Sequence, residues 1–144
     1  MILIQRMLQE TSRRSVTEQI ELLVERRLFL KRRWRGIAAD GTEFGFDLET
    51  RLKHGCVIHQ TEAADYVVRQ EPETIYQIRP GSADEAALMG WKIGNLHLGV
   101  QVMDGLIRIT HDVAVLQLCE REGWAFEEVS VVFNPLRVTA HAAS

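Results

Sequence analysis

Residues 80–110 open with Pro80-Gly81-Ser82-Ala83-Asp84-Glu85, pass through Trp91-Lys92-Ile93-Gly94-Asn95-Leu96-His97, and end with Leu98–Met103, Asp104-Gly105 and Leu106–Thr110. Pro80-Gly81 stops a β-like run, Thr74–Ile78. Ser82 followed by Glu85 has the spacing of a capping box, in which Ser82 accepts from first-turn amides and Glu85 reaches back. The predicted helix carries Ala87, Leu88 and Trp91 on one face, and Gly94 suits the position just past its end. Asp104-Gly105 is a two-residue turn signal joining two antiparallel strands.

Working outward, Asp112 or Thr110 can cap a second helix that buries Val115, Leu116 and Cys119 and stops at Gly123. Val129, Val131 and Phe133 share one face of a last strand, closed by Pro135. The order β-α-β-β-α-β predicts a ferredoxin-like unit over residues 72–136. Residues 137–144 have little to bury and read as a flexible tail.

The first 71 residues read differently. Met1–Leu8 is a short apolar segment and Gln9–Ser15 a polar loop. Residues 18–37 contain helix formers, but Ile20-Glu21-Leu22 and Leu28 with Leu30 also fit a period of two, and strand is the expectation. Asp40-Gly41 then signals a hairpin before Glu43–Leu48, and Cys56-Val57-Ile58 and Asp65–Arg69 follow. Short strands separated by turns predict a small all-β barrel or sandwich over residues 1–71. Gln70-Glu71-Pro72-Glu73 reads as the linker. The predicted class is therefore α+β, a β-rich domain followed by a ferredoxin-like one.

With 46% hydrophobic and 26% charged residues, the composition is that of a folded chain. No apolar run approaches the ~18 residues that span a bilayer, and Met1–Arg6 is too short for a signal peptide, so a cytoplasmic protein with no membrane contact is expected. Lys and Arg number 12 against 11 Asp and Glu in residues 1–71, and 5 against 9 in residues 72–144. The acidic second part argues against nucleic-acid binding there. Cys56 and Cys119 have no second thiol at metal or redox spacing and read as reduced structural residues.

The five histidines are the candidates for chemistry. His54 and His59 bracket an apolar run with no ligand partner at a recognisable spacing, and read as surface residues. His97 follows a helix end with no other ionisable group nearby; alone, such a histidine is more often structural than a ligand. His111 ends the hairpin that His97 begins, and antiparallel pairing could turn both imidazoles to one region, with Asp112 adding a carboxylate. Imidazole with carboxylate suits Ni, Cu or Zn. A general base at His111 oriented by Asp112 is the enzyme alternative. With no nucleophile motif and no Gly-rich phosphate loop, the chain is read as a non-enzyme.

Taken together, Trp91–Val102, the Lys31-x-Arg33-x-Arg35 strand leading to Asp40-Gly41, Thr110-His111-Asp112 and Phe133-x-Pro135 carry a resemblance. The chain resembles the urease accessory protein UreE family of nickel metallochaperones over about residues 20–135. The resemblance implies an N-terminal β domain over residues 1–71, often called the peptide-binding domain, a ferredoxin-like metal-binding domain, and a homodimer formed through the latter. It implies that His97 from each protomer binds Ni(II) at the dimer interface, that His111 is an auxiliary metal-binding residue, and that His141 can complete the shell. Zn(II) and Cu(II) are possible occupants in vitro. The implied partners are the urease GTPase, other urease accessory proteins and the urease apoprotein.

Three departures limit what carries over. Leu96 stands where the family usually has Arg, Val113 stands where a second His is common, and the tail offers only His141. Because only neutral imidazole ligates, such a site weakens as pH falls below ~6.5, the ordinary histidine value. The rival reading is a protein- or RNA-docking module that uses the basic residues Arg26-Arg27 and Lys31–Arg35, with Trp34 among them, and no metal.

Overall fold

In a computed structural model that describes residues 1–136, the N-terminal alternation resolves into six strands. They are β1 (Ile2–Ile4), β2 (Gln19–Val24), β3 (Arg33–Ile37), β4 (Glu43–Asp47), β5 (Cys56–Gln60) and β6 (Asp65–Gln70). Two three-stranded sheets result, in the orders β1-β4-β3 and β2-β6-β5. Both feed one core that includes Ile4, Leu22, Phe44, Phe46, Tyr66 and Val68. The tail from residue 137, with its expected flexibility and with His141, lies outside the described residues.

The expected β3–β4 hairpin forms. Gly41 adopts φ +88°, its N–H donates to Ala38 O at 2.9 Å, and Ala38 N–H donates to Thr42 O at 2.9 Å. A side chain here would meet strained left-handed backbone, which is why glycine occupies the turn. Asp40 is fixed from the sheet below: the Tyr66 hydroxyl donates to its Oδ2 at 2.5 Å. That bond holds the Asp40 carboxyl below its ordinary range and pushes the Tyr66 phenol up. A second anchor is buried Asp65, which accepts from Ser12 Oγ at 2.7 Å and has Arg14 Nε 3.2 Å away.

One expectation for this unit is corrected. Leu28 to Leu30 is not strand but a 3₁₀ turn, Arg26–Leu30, closed by Lys31 N–H donating to Leu28 O at 3.1 Å. Leu28 and Phe29 both pack on the core while Leu30 is exposed, and two consecutive inward residues cannot be met by a period of two. Beyond the β3–β4 hairpin, β1 pairs parallel with β4 and β2 parallel with β6.

The C-terminal part contains β7 (Glu73–Ile78), α1 (Ala83–Gly94), β8 (Val100–Met103), β9 (Leu106–Thr110), α2 (Val113–Glu122) and β10 (Glu127–Val131). The all-antiparallel sheet has the order β10-β7-β9-β8, the expected ferredoxin-like arrangement. The chain divides into two compact units, with the boundary between Glu71 and Pro72. Ser82 caps α1, accepting from Glu85 N at 3.1 Å, and Asp112 caps α2, accepting from Ala114 N at 2.8 Å. Gly123 closes α2 in the left-handed conformation at φ +72°. Asp104 and Gly105 both take positive φ, as a two-residue hairpin that follows the twist of its strands requires.

The inward face of α1 differs from the expected one. Met89 and Ile93, four residues apart, are its buried positions, while Leu88 and Trp91 are 50% and 67% exposed. Lys92 pairs with Glu122 and ties α1 to α2. The final strand also stops earlier than expected. After Val131 the chain leaves the ladder, buries Phe133 and reaches Leu136, whose N–H donates to Val100 O at 2.7 Å. This strap covers Gly99, where an added Cβ would lie 3.1 Å from Thr110 Oγ1 and 3.3 Å from Pro135 Cβ. Cys56 and Cys119 are buried free thiols, and burial raises the pKa of both. No helix among the described residues is long and apolar enough to cross a membrane.

Gly99→Ala is expected to lower the stability of the C-terminal unit by about 1–3 kcal/mol through overpacking under the strap, read as a lower denaturant midpoint. Tyr66→Phe is expected to lower the midpoint most between about pH 5 and 9. The difference shrinks as acid protonates Asp40 through its lowered pKa, and as base ionises Tyr66 through its raised one. A pH-independent difference contradicts the assigned bond.

Candidate metal centre

His97 does not enter a strand. Helix α1 runs through Gly94, Asn95 follows in right-handed helical backbone, and the reversal of direction falls on His97 at φ +56°. Leu96 N–H donates to Ile93 O at 3.0 Å and His97 N–H to Gly94 O at 3.2 Å. Gly94, expected to serve as the left-handed residue past the helix end, is its last helical residue instead. Strand β8 begins only at Val100. A side chain in left-handed backbone is uncommon and costs on the order of 1 kcal/mol. The His97 imidazole is exposed and has no hydrogen-bond or ion-pair partner among the described residues. No alternation or spacing signal revealed this turn.

His111 is placed quite differently. Its ring stacks on Tyr76 at 4.6 Å between centroids, 18° from parallel, and its Nε2 lies 3.3 Å from Glu128 Oε1. Burial raises the Tyr76 phenol above its ordinary range, and the charge of Glu128 adds to the effect. His111 thus turns from the end of β9 towards β7 and β10, whereas His97 precedes β8 at the opposite edge of the sheet. Asp112 does not orient His111, because its side chain caps α2. The partner is Glu128, which sequence reasoning missed; only the fold brings β10 beside β7.

His54 and His59 serve the N-terminal unit. His54 Nδ1 accepts from Gln70 N at 2.9 Å, and His59 leans on the rings of Tyr66 and Phe44. His141 lies outside the described residues. Among the described residues no three His, Cys, Asp or Glu side chains form a group that could hold a metal ion. One chain therefore presents isolated donors, with His97 the most available.

The C-terminal unit also leaves apolar side chains uncovered. Val102 of β8 is 63% exposed, and with Leu88 and Trp91 it forms uncovered apolar surface on this unit. An open hollow between α1 and the β8–β9 hairpin is lined by Ala86, Gly90, Val100, Val102, Leu106 and Ile107. Uncovered apolar area rimmed by polar groups is how soluble proteins mark association sites.

A small α+β protein, with a β-sheet unit and a ferredoxin-like unit that exposes both a histidine and apolar side chains, is the class defined by these features. Residues 73–144 match the family model described as UreE urease accessory protein, C-terminal domain, and the chain belongs to that family. It is a family of accessory proteins and not of enzymes. Among similar proteins, the urease accessory protein UreE of Bacillus cereus is 27% identical over 124 residues, covering 84% of this chain and 82% of its own. That of Bifidobacterium longum subsp. infantis is 29% identical over 115 residues, covering 79% of this chain. That of Brucella anthropi is 30% identical over 86 residues, covering 60% of this chain. The matched region spans about half the length of the last two relatives, 52% and 51%.

If His97 holds strained backbone, His97→Gly is expected to raise stability by up to about 1 kcal/mol, since glycine adopts positive φ freely. Thermal unfolding checks this, and an unchanged or lower midpoint contradicts the strain.

Proposed function

We propose that the chain is a cytoplasmic nickel carrier that delivers Ni(II) for assembly of the urease active site. The carrying observation is the exposed imidazole of His97, unpartnered among the described residues and held in left-handed backbone. Strained positions concentrate where function requires a fixed presentation. One imidazole cannot hold a metal ion tightly. Two, brought together by a two-fold axis through the apolar surface of Leu88, Trp91 and Val102, make a partial shell with positions left open for handover. The homodimer through the C-terminal unit rests on that surface and on membership of the family.

On this reading His111 and His141 are secondary ligands. His111 is drawn towards Glu128, so it serves as an auxiliary donor distant from the central pair. The strap brings the backbone of Leu136, five residues before His141 in the sequence, to Val100, three residues after His97. Nickel suits imidazole with oxygen donors, and Zn(II) or Cu(II) could occupy the same donors in vitro. The proposed partners are the urease GTPase, the other urease accessory proteins and the urease apoprotein, consistent with relatives named as urease accessory proteins.

Calorimetric nickel titration, combined with mass determination, tests the proposal. His97→Ala is expected to abolish the tight equivalent per dimer, whereas His111→Ala and His141→Ala reduce binding less. Unchanged nickel binding by the His97 variant sinks the idea.

A further inference from the structure

Strand β3 lies at the edge of its sheet, with β4 on one side; on the other side the chain is bonded only past the strand's end, where Ala39 N–H donates to Glu21 O of β2 at 2.8 Å. Leu48 N–H donates to Arg32 O at 3.0 Å and Ala38 N–H to Thr42 O at 2.9 Å, so the even-numbered residues of this stretch bond to the β4 side. The main-chain N–H and C=O of Arg33 and Arg35 consequently point out of the sheet, with no partner among the described residues. Their side chains are exposed on the outer face, one two-residue step apart.

Charge on this edge is one-sided. From Arg26 to Ala39 there are six cations and no acid. Asp47 is shared by Arg32 and Arg33 at 2.9 and 3.3 Å, and Glu25 pairs with Arg27. Arg35 and Lys31 keep no carboxylate partner among the described residues. Exposed Leu30 and Ile37 flank the cationic stretch at its two ends.

We propose that the free edge of β3 is a docking site for an extended acidic segment of a partner protein, which adds as a fourth strand. Its main chain bonds to the open groups of Arg33 and Arg35, and alternate carboxylates on the outer face meet the two guanidiniums. RNA fits this edge less well. Trp34, the aromatic that would stack on a base, is turned inward against Phe46 at 3.8 Å between ring centroids. Open strand groups complement another strand and not a stack of bases. Charged edges also guard against edge-to-edge aggregation. That role is indifferent to the sign of the charge, which makes charge reversal the discriminating change.

The test uses the full chain and an acetylated, amidated (Glu-Val)4 peptide, with (Lys-Val)4 and a 12-mer of oligouridine for comparison, followed by amide NMR. Binding of the acidic peptide is expected to weaken with salt and to slow hydrogen exchange at the Arg33 and Arg35 amides. It should drop about tenfold or more in Arg33→Glu/Arg35→Glu while the thermal midpoint is retained. If that double variant does not fold, Arg35→Gln is expected to weaken binding by a smaller factor. No binding of the acidic peptide, or equal binding of the lysine peptide, overturns the proposal. So does tighter binding of oligouridine through the same residues. Self-association of the chain that is lost on charge reversal would make a second copy the occupant, and also overturns it.

Discussion

Five residues, Asn95 to Gly99, take the chain from the end of α1 into the edge strand β8, and somewhere among them the backbone must reverse. Two of the candidates, Gly94 just before and Gly99 within, are glycines that could reverse at low cost, yet neither adopts a positive φ. Gly94 continues the helix, and Gly99 is reserved for close approach of the strap and Thr110. The reversal is thereby forced onto His97. The placement of Ile93 in the core, the register of Val100 against Ile109, and the exposure of the imidazole all depend on this single turn. An arrangement that strains a histidine while glycines stand on either side is the strongest physical reason to attach function to that residue.

Much of the C-terminal unit was legible because its signals are local. Ser82, Asp112, Gly123 and Asp104-Gly105 each satisfy a backbone need within four residues of themselves, and chemistry at that range is written in the sequence. What failed was non-local. Leu88 and Trp91 are apolar at helical spacing, and only the sheet's position decides that Met89 and Ile93 face it instead. The parallel pairings of β1 with β4 and β2 with β6 join segments far apart in the chain, and no alternation pattern encodes a partner. The same holds for the site. His97 and His111 were legible as residues, but their separation was not, because the antiparallel argument assumed that His97 begins the strand. Glu128 reaches His111 from a strand 17 residues later.

The two units divide the chemistry between them. The N-terminal unit carries the cationic excess on a strand edge, the geometry of protein contact. The C-terminal unit carries the acidic excess, the strained imidazole and the uncovered apolar side chains. Family membership joins these observations: an accessory protein has to meet partners as well as present its cargo.

The two cysteines bear on metal traffic in a different way. Both thiols are buried with their pKa raised by that burial, so near neutral pH the thiolate, the form that captures metal, is scarce. A thiolate would outcompete imidazole for soft ions such as Cu(I) and would release them slowly. By keeping both thiols protonated and walled off, the fold presents no thiolate at the surface of the described residues. Denying metal ions a thiolate is thus a property of how the core is packed and not of any surface residue.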